Sequence, residues 1–198
     1  FAQALAEFFF GTEKALLEID LADYTESHSL SDLIGSPPGY EGHEDGGLLG
    51  STIIRQPFLV IVWRNISMGH PSVQALVSQI LADGSITDRL GRNIDFRNTL
   101  QIVTITQTSE DASRPLGFGA VAQNQDSEGP IEPTDPAFTK IKKMVNPDLI
   151  SSLDLFLNFK RPSTEVLKAI IQKITDKLAN DFASEHGVSL YLDPQLID

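Results

Sequence analysis

Residues 58–65 read Phe58-Leu59-Val60-Ile61-Val62-Trp63-Arg64-Asn65, directly after Pro57. The apolar stretch Phe58–Trp63 has neither a helical period nor a two-residue alternation. A run this short and this uniformly apolar, bounded by a proline and then by polar residues, predicts a central parallel strand buried on both faces. It stops abruptly on Arg64 and Asn65.

The segments around it predict the layers that bury such a strand. Ala15–Ile19, ending at Asp20, is a short apolar run and a second buried strand. Thr99–Thr106 alternates and is β-branched, which suits a third. Helical patterns lie between and beside them. Phe1–Phe10 is Ala-rich and apolar and is stopped by Gly11. Ser29–Ile34 is a short helix that Ser29 is placed to cap. Leu48–Ile54 follows the Gly/Pro-rich loop Gly35–Gly47. Pro71–Leu81 carries Val73, Leu76, Val77, Ile80 and Leu81 at helical spacing, with Pro71 suited to the first turn. Strands alternating with helices imply an α/β layered fold around a largely parallel sheet.

Beyond residue 108 the composition changes. Thr108–Pro136 holds four prolines and three glycines among scattered acids and reads as a linker or long surface loop. Phe138–Val145 is a basic helix, and Leu153–Phe159 is expected to be the last strand. Ser163–Glu185 is a long amphipathic helix with Val166, Ile170, Ile171, Ile174, Leu178 and Phe182 on one face, Glu165 near its start and Gly187 at its end. Val188–Leu192 is expected as a short strand. We therefore divide the chain into a large α/β part, residues 1–145 with the linker at 108–136, and residues 146–198, the end of that part plus a small, incomplete α+β lid.

Composition narrows the function classes. The 198 residues, 41% of them apolar, suffice for a packed core. Net charge is −12, and residues 1–135 carry 19 acidic against 7 basic side chains, so a nucleic-acid partner is not expected. The chain has no cysteine, which removes disulfides and thiolate metal sites. His28, His43, His70 and His186 are spaced too widely for a ligand pair, so no metal site is expected. No apolar run approaches the ~20 residues a membrane helix needs. A membrane partner is therefore not expected, and a cytoplasmic location is. The chain opens inside an apolar helical pattern without an initiator Met, as a fragment or processed segment does.

An ordered series of motifs frames the central strand. Upstream lies Gly35-Ser36-Pro37-Pro38-Gly39-Tyr40-Glu41-Gly42-His43-Glu44-Asp45-Gly46-Gly47. Downstream lie Gly69-His70-Pro71, then Leu81-Ala82-Asp83-Gly84-Ser85-Ile86-Thr87-Asp88, then Gly91-Arg92-Asn93-Ile94-Asp95-Phe96-Arg97-Asn98-Thr99. This series resembles the second AAA+ ATPase module of the Clp unfoldases, ClpB-like and ClpV-like proteins among them. The resemblance runs the length of the chain and implies a P-loop NTPase-like three-layer sandwich, a ring assembly, hexameric in this family, and polypeptide as substrate.

The same resemblance implies that hydrolysis has been lost. Arg64 stands where the family has the Asp on the Mg²⁺ side, and Asn65 where it has the Glu that activates water. An Arg opposes Mg²⁺, and an amide has no useful basicity. Thr106 replaces the family's Asn at the end of the third strand, with Gln107 next to it. Pro147-Asp148-Leu149-Ile150-Ser151-Ser152 matches the family's Pro-Glu-Phe-Leu-Asn-Arg, so Ser152 replaces the Arg that completes a neighbour's site; a hydroxyl cannot stabilise transition-state charge as guanidinium does. No Gly-rich phosphate loop with its Lys occurs within the chain. In the family it falls just before the position of Phe1, so no cofactor is expected for this chain, and ATP with Mg²⁺ only if such a loop precedes Phe1. Gly39-Tyr40-Glu41-Gly42 resembles the substrate-gripping pore loop, with Glu41 in place of an aliphatic residue. Two readings of that loop stand side by side: a substrate contact through Tyr40, or a Gly/Pro turn with a packed Tyr. The expected function is a Clp-like module that does not hydrolyse ATP and serves a ring as a structural, regulatory or interaction element. The rival is a fragment of an ATP-dependent Clp chaperone that still binds ATP.

Overall fold

The computed structural model describes residues 1–40, 46–105, 129–131, 136–159 and 162–186. By its contacts the chain falls into two compact units, Phe1–Val121 with Ile131–Phe156, and Ala122–Pro130 with Leu157–Asp198.

The first unit is built on a parallel sheet. Strands β1 (Leu16–Asp20), β2 (Val60–Arg64) and β5 (Leu100–Val103) lie in the order β1-β2-β5, all parallel. The three segments expected as strands thus share one sheet, and the continuous apolar run is its middle strand. The register pairs Leu16 with Val60 and Asp20 with Arg64 on one side, and Val60 with Leu100 and Trp63 with Val103 on the other. Leu59 to Trp63 are all at most 5% exposed, so both faces of β2 are covered. Each such side chain contributes roughly 1.5–3 kcal/mol by burial. Phe58 corrects the expected boundary: it is 58% exposed and lies outside β2. A run of apolar letters does not show where the ladder begins. Here it begins at Val60, whose N–H donates to the Ala15 carbonyl.

Helices α1 (Ala2–Phe10), α2 (Leu30–Ile34), α3 (Leu48–Arg55) and α4 (Pro71–Asp83) follow the predicted order. Helix α1 ends at Gly11 in a left-handed conformation, φ 74°, its N–H on the Glu7 carbonyl. It buries Ala6 but leaves Phe8 80% exposed. Helix α4 starts on Pro71, is capped by His70, whose Nδ1 accepts the Ser72 N–H, and buries Val73, Leu76, Val77 and Ile80. Ser29 does not cap α2: it closes a 3-10 turn, Ser27–Ser29, already in helical conformation, and its side chain makes no cap bond. An N-cap needs extended backbone, which the preceding turn denies it.

Two short strands missing from the sequence reading, β3 (Ser85–Thr87) and β4 (Asn93–Asp95), form an antiparallel hairpin against α3 and α4. Between them the Asp88 side chain is fully buried. Its Oδ1 accepts the N–H groups of Leu90 (3.0 Å) and Arg92 (2.8 Å), and its Oδ2 accepts Arg92 Nε at 2.7 Å. Helix α5 (Pro136–Met144), the expected basic helix, stacks Phe138 edge-on against Phe156 with ring centroids 5.0 Å apart, and α6 (Pro147–Ser151) buries Leu149.

The second unit contains a two-residue antiparallel ladder between β6 (Gly129–Pro130) and β7 (Leu157–Asn158), and the long helix α7 (Thr164–His186). The strand expected over Leu153–Phe159 is therefore two residues long and stands apart from the parallel sheet. Its alternating leucines imitate a strand, but Leu155 is 62% exposed and finds no ladder partner. Helix α7 confirms the periodic segment, with Glu165 in its first turn and Ser163 Oγ accepting the Val166 N–H at 3.4 Å. Its apolar positions from Val166 to Phe182 are 39–62% exposed. Gly187, the Val188–Leu192 strand and most of the Thr108–Pro136 linker lie outside the described residues.

Candidate functional site

The carboxyl ends of β1, β2 and β5 converge where open α/β sheets bind their ligands. Asp20, Arg64 with Asn65, and Thr104 stand there. Arg64 continues β2 and is half exposed. Because Asp20 is its register partner, Glu18 and Asp20 project from the same sheet face as Arg64. The guanidinium lies between them, 3.8 Å from Glu18 Oε2 and 3.8 Å from Asp20 Oδ2.

Asn65 leaves the strand in the left-handed region, φ 53° and ψ 47°, as the one non-glycine with positive φ among the described residues. Asn tolerates this conformation better than most residues. Neighbouring strands hold it there. Its Nδ2 donates to Asp20 Oδ1 at 2.8 Å, its N–H to Thr104 Oγ1 at 3.3 Å, and the next N–H, of Ile66, to the Thr104 carbonyl. Asp20 Oδ1 also accepts the Ala22 N–H at 3.1 Å. The Asn65 amide first, then the Ala22 N–H, and finally Arg64 hold the Asp20 carboxyl below the usual carboxylate range, against the opposing effect of partial burial. Beneath this end, Trp63 is fully buried and its Nε1 donates to Gln101 Oε1 at 2.8 Å, which fixes β5 against β2.

Chemically this is a salt-bridged, amide-clamped strand end. A guanidinium offers donors only. The Asn65 amide nitrogen faces a carboxylate. Among the described residues no three His, Asp or Glu side chains are placed to hold a metal ion together.

The other predicted positions lie elsewhere. Ser152 ends α6, and its hydroxyl donates to the Asp148 carbonyl at 2.9 Å. It lines an open groove of ≈ 400 Å³ between α4 and α6, with Ser78, Gln79, Asn146 and Asp148. The hydroxyl is thus engaged within its own helical turn. Thr106, Glu41 and Gly42 lie outside the described residues. Tyr40 follows a tight turn in which its N–H donates to the Pro37 carbonyl at 3.3 Å. Pro38 suits the second turn position and Gly39, φ 90°, supplies the positive φ of the third. The Tyr40 side chain is left 72% exposed, so a ring packed into the core is not what this turn makes.

The sequence reading passed over Glu18 and Thr104 and took Asp20 only as the end of a run. Acids at a strand end carry no one-dimensional signal of their partners. Register alone brings Glu18 and Asp20 beside Arg64.

The chain matches the sequence profile of the family described as AAA domain (Cdc48 subfamily) over residues 1–155. It is also similar to the "ATP-dependent Clp protease ATP-binding subunit ClpC" of several staphylococci. The Staphylococcus saprophyticus (strain ATCC 15305) protein is 36% identical over 186 residues, 93% of this chain and 22% of that protein. Those of Staphylococcus aureus strains USA300 and NCTC 8325 are 36% identical over 199 residues, covering all of this chain and 24% of theirs. The chain spans about a quarter of the length of these relatives. The parallel α/β sheet, the motif series around β2 and this likeness over the whole chain together place the protein in the Clp family of AAA+ modules.

Proposed function

We propose that this chain is a catalytically degenerate Clp-type AAA+ module that does not hydrolyse ATP and works as a structural, regulatory or protein-interaction element of a ring assembly. The observation that carries this reading is the strand end itself. Arg64 is paired with Glu18 and Asp20, and the Asn65 amide donates to Asp20. A hydrolytic site needs an anionic side chain toward Mg²⁺ and a basic one toward water. Neither Arg64 nor Asn65 meets that need. Ser152, with its hydroxyl engaged in its own helical turn, does not meet the neighbour's need for a cation either. Mg²⁺ therefore does not fit the donor set present here. In this reading the large α/β part is followed by a small lid, the ring is an oligomer of AAA+ modules, hexameric as the family implies, and the setting is cytoplasmic.

Among the described residues no helix is long and apolar enough to cross a membrane. Tyr40, exposed after its Gly39 turn, is the residue proposed to touch extended polypeptide, with Gly39, Glu41 and Gly42 as its loop. A broad amphipathic ring suits a sequence-tolerant contact.

The second reading is a piece of an ATP-dependent Clp chaperone that retains ATP binding. Its support is the 36% identity, over the whole chain, to proteins named as ATP-binding subunits. One assay separates the two. The protein that carries this chain, purified with whatever precedes Phe1, is expected to show no Mg²⁺-dependent phosphate release above background. Turnover that disappears on changing Asn65→Ala refutes the degenerate reading. Nucleotide binding without turnover keeps it and adds ATP as a structural ligand.

A further inference from the structure

Glu18 and Asp20 stand on one strand, one sheet face and two residues apart, at the ligand-binding edge of the sheet. Such a pair repels itself and attracts a cation. Arg64 supplies that cation from the adjacent strand, 3.8 Å from each carboxylate. Its position is set by the ladder, because Arg64 is the register partner of Asp20 and still part of β2. The remaining Asp20 oxygen, Oδ1, is occupied by two N–H donors, from Asn65 and Ala22. One oxygen of each carboxylate thus faces the guanidinium.

From this we infer that Arg64 is a resident cation, neutralising Glu18 and Asp20 in place of a divalent metal and making this end of the sheet independent of Mg²⁺. The inference rests on the degenerate reading of the same site, but it concerns the charge balance of the folded chain and is read without nucleotide. ATP turnover would defeat the functional reading and leave the melting data to decide this one.

The test is thermal unfolding of the chain in KCl and in MgCl₂ at matched ionic strength. Wild type is expected to melt at the same temperature in both. Arg64→Gln leaves two unneutralised carboxylates and is expected to melt lower by about 1–3 °C in KCl, the range for a partly exposed ion pair in a chain of this size. MgCl₂ is expected to return most of that loss. Arg97→Gln serves as the control for nonspecific screening. It removes an equal charge from a chain of net charge −12, and its exposed pairing with Asp95 lies on the β4 side. Its melting temperature is expected not to respond to Mg²⁺. Glu18→Gln in the Arg64→Gln background is expected to abolish the recovery, because one of the two carboxylates is gone.

Equal Mg²⁺ shifts in wild type, Arg64→Gln and Arg97→Gln overturn the proposal. So does an Arg64→Gln variant that melts with wild type in KCl. Should Arg64→Gln fail to fold in KCl, Arg64→Lys and Glu18→Gln alone still decide. Both keep a cation against the remaining carboxylates and are expected to ignore Mg²⁺; a Mg²⁺-dependent rise in either refutes the resident-cation role.

Discussion

Removing the Asp88 carboxylate should be among the most destabilising single changes outside the β2 core. Asp88 joins β3 to β4. Its fully buried side chain accepts two backbone N–H groups and Arg92 Nε, all within 3.0 Å. Each hydrogen bond to a charged acceptor contributes about 1.5–3 kcal/mol net, so three bonds give roughly 4–5 kcal/mol at the low end of that range. Arg92 is 39% exposed along its side chain and recovers part of this through water, which brings Asp88→Ala to about 3 kcal/mol. For a chain of this size that is a fall of roughly 6–12 °C in melting temperature. Trp63, the sole tryptophan and fully buried in the same unit, reports the transition by fluorescence during urea unfolding. Asp95→Ala is the comparison. Asp95 accepts from Arg97 at 2.7 Å in the same hairpin, but both side chains are exposed, and its loss should shift the midpoint only slightly. If Asp88→Ala costs less than about 1 kcal/mol, or no more than Asp95→Ala, burial is not what makes the Asp88 latch strong and the reasoning fails.

Three further outcomes are expected. Gly47→Ala would place a Cβ 2.2 Å from the Leu33 carbonyl oxygen and 2.5 Å from Gly35 N. The obstacle is backbone, so the cost should be 1–3 kcal/mol or more; an unchanged urea midpoint would show that the α2–α3 connection yields easily. In acid, Asp88 is held below its ordinary value of 3.8: burial alone would raise it, but the hydrogen bonds and charge of Arg92 and the Leu90 N–H outweigh that. Arg97 lowers Asp95 to about 2. A lowered folded value stabilises above the unfolded value and is lost as pH falls through the folded one. The stability gap between wild type and Asp88→Asn should therefore be constant above about pH 5 and narrow as pH falls below the unfolded carboxyl value of about 3.9; a gap that widens on acidification has the wrong sign. Tyr40→Ala should leave the melting temperature unchanged, given its exposure, while weakening binding of a fluorescent unfolded polypeptide several-fold, and Glu41→Val should strengthen that binding. A lower melting temperature for Tyr40→Ala, with no gain from Glu41→Val, would end the substrate-contact proposal.

The amino-acid sequence by itself determined the middle of the sheet. Val60 to Trp63 are apolar without interruption, and only a position covered on both faces accommodates that. It also determined α4, through Pro71 and the spacing of Val73, Leu76, Val77 and Ile80, and α7, through a periodicity long enough to need no tertiary help. The motif series around β2 made the Clp resemblance legible and marked Arg64 and Asn65, because substitutions stand out only against a known frame.

The tertiary structure decided what depends on contacts between distant residues. Phe58 has the same chemistry as its buried neighbours, and only the point where the ladder starts leaves it outside. Strands β3 and β4 have three residues each, too few for a period, and what holds them is the Asp88 carboxylate, whose value comes from burial. The leucines at 153, 155 and 157 alternate as a strand does, yet pairing there is limited to Leu157 and Asn158. At the candidate site, sequence supplied Arg64 and Asn65 but not their partners. Glu18 and Asp20 lie more than forty residues earlier, and Thr104 on the other neighbouring strand. Parallel register, a property of two strands and not of either alone, brings those carboxylates to the guanidinium and so sets the charge balance at the end of the sheet.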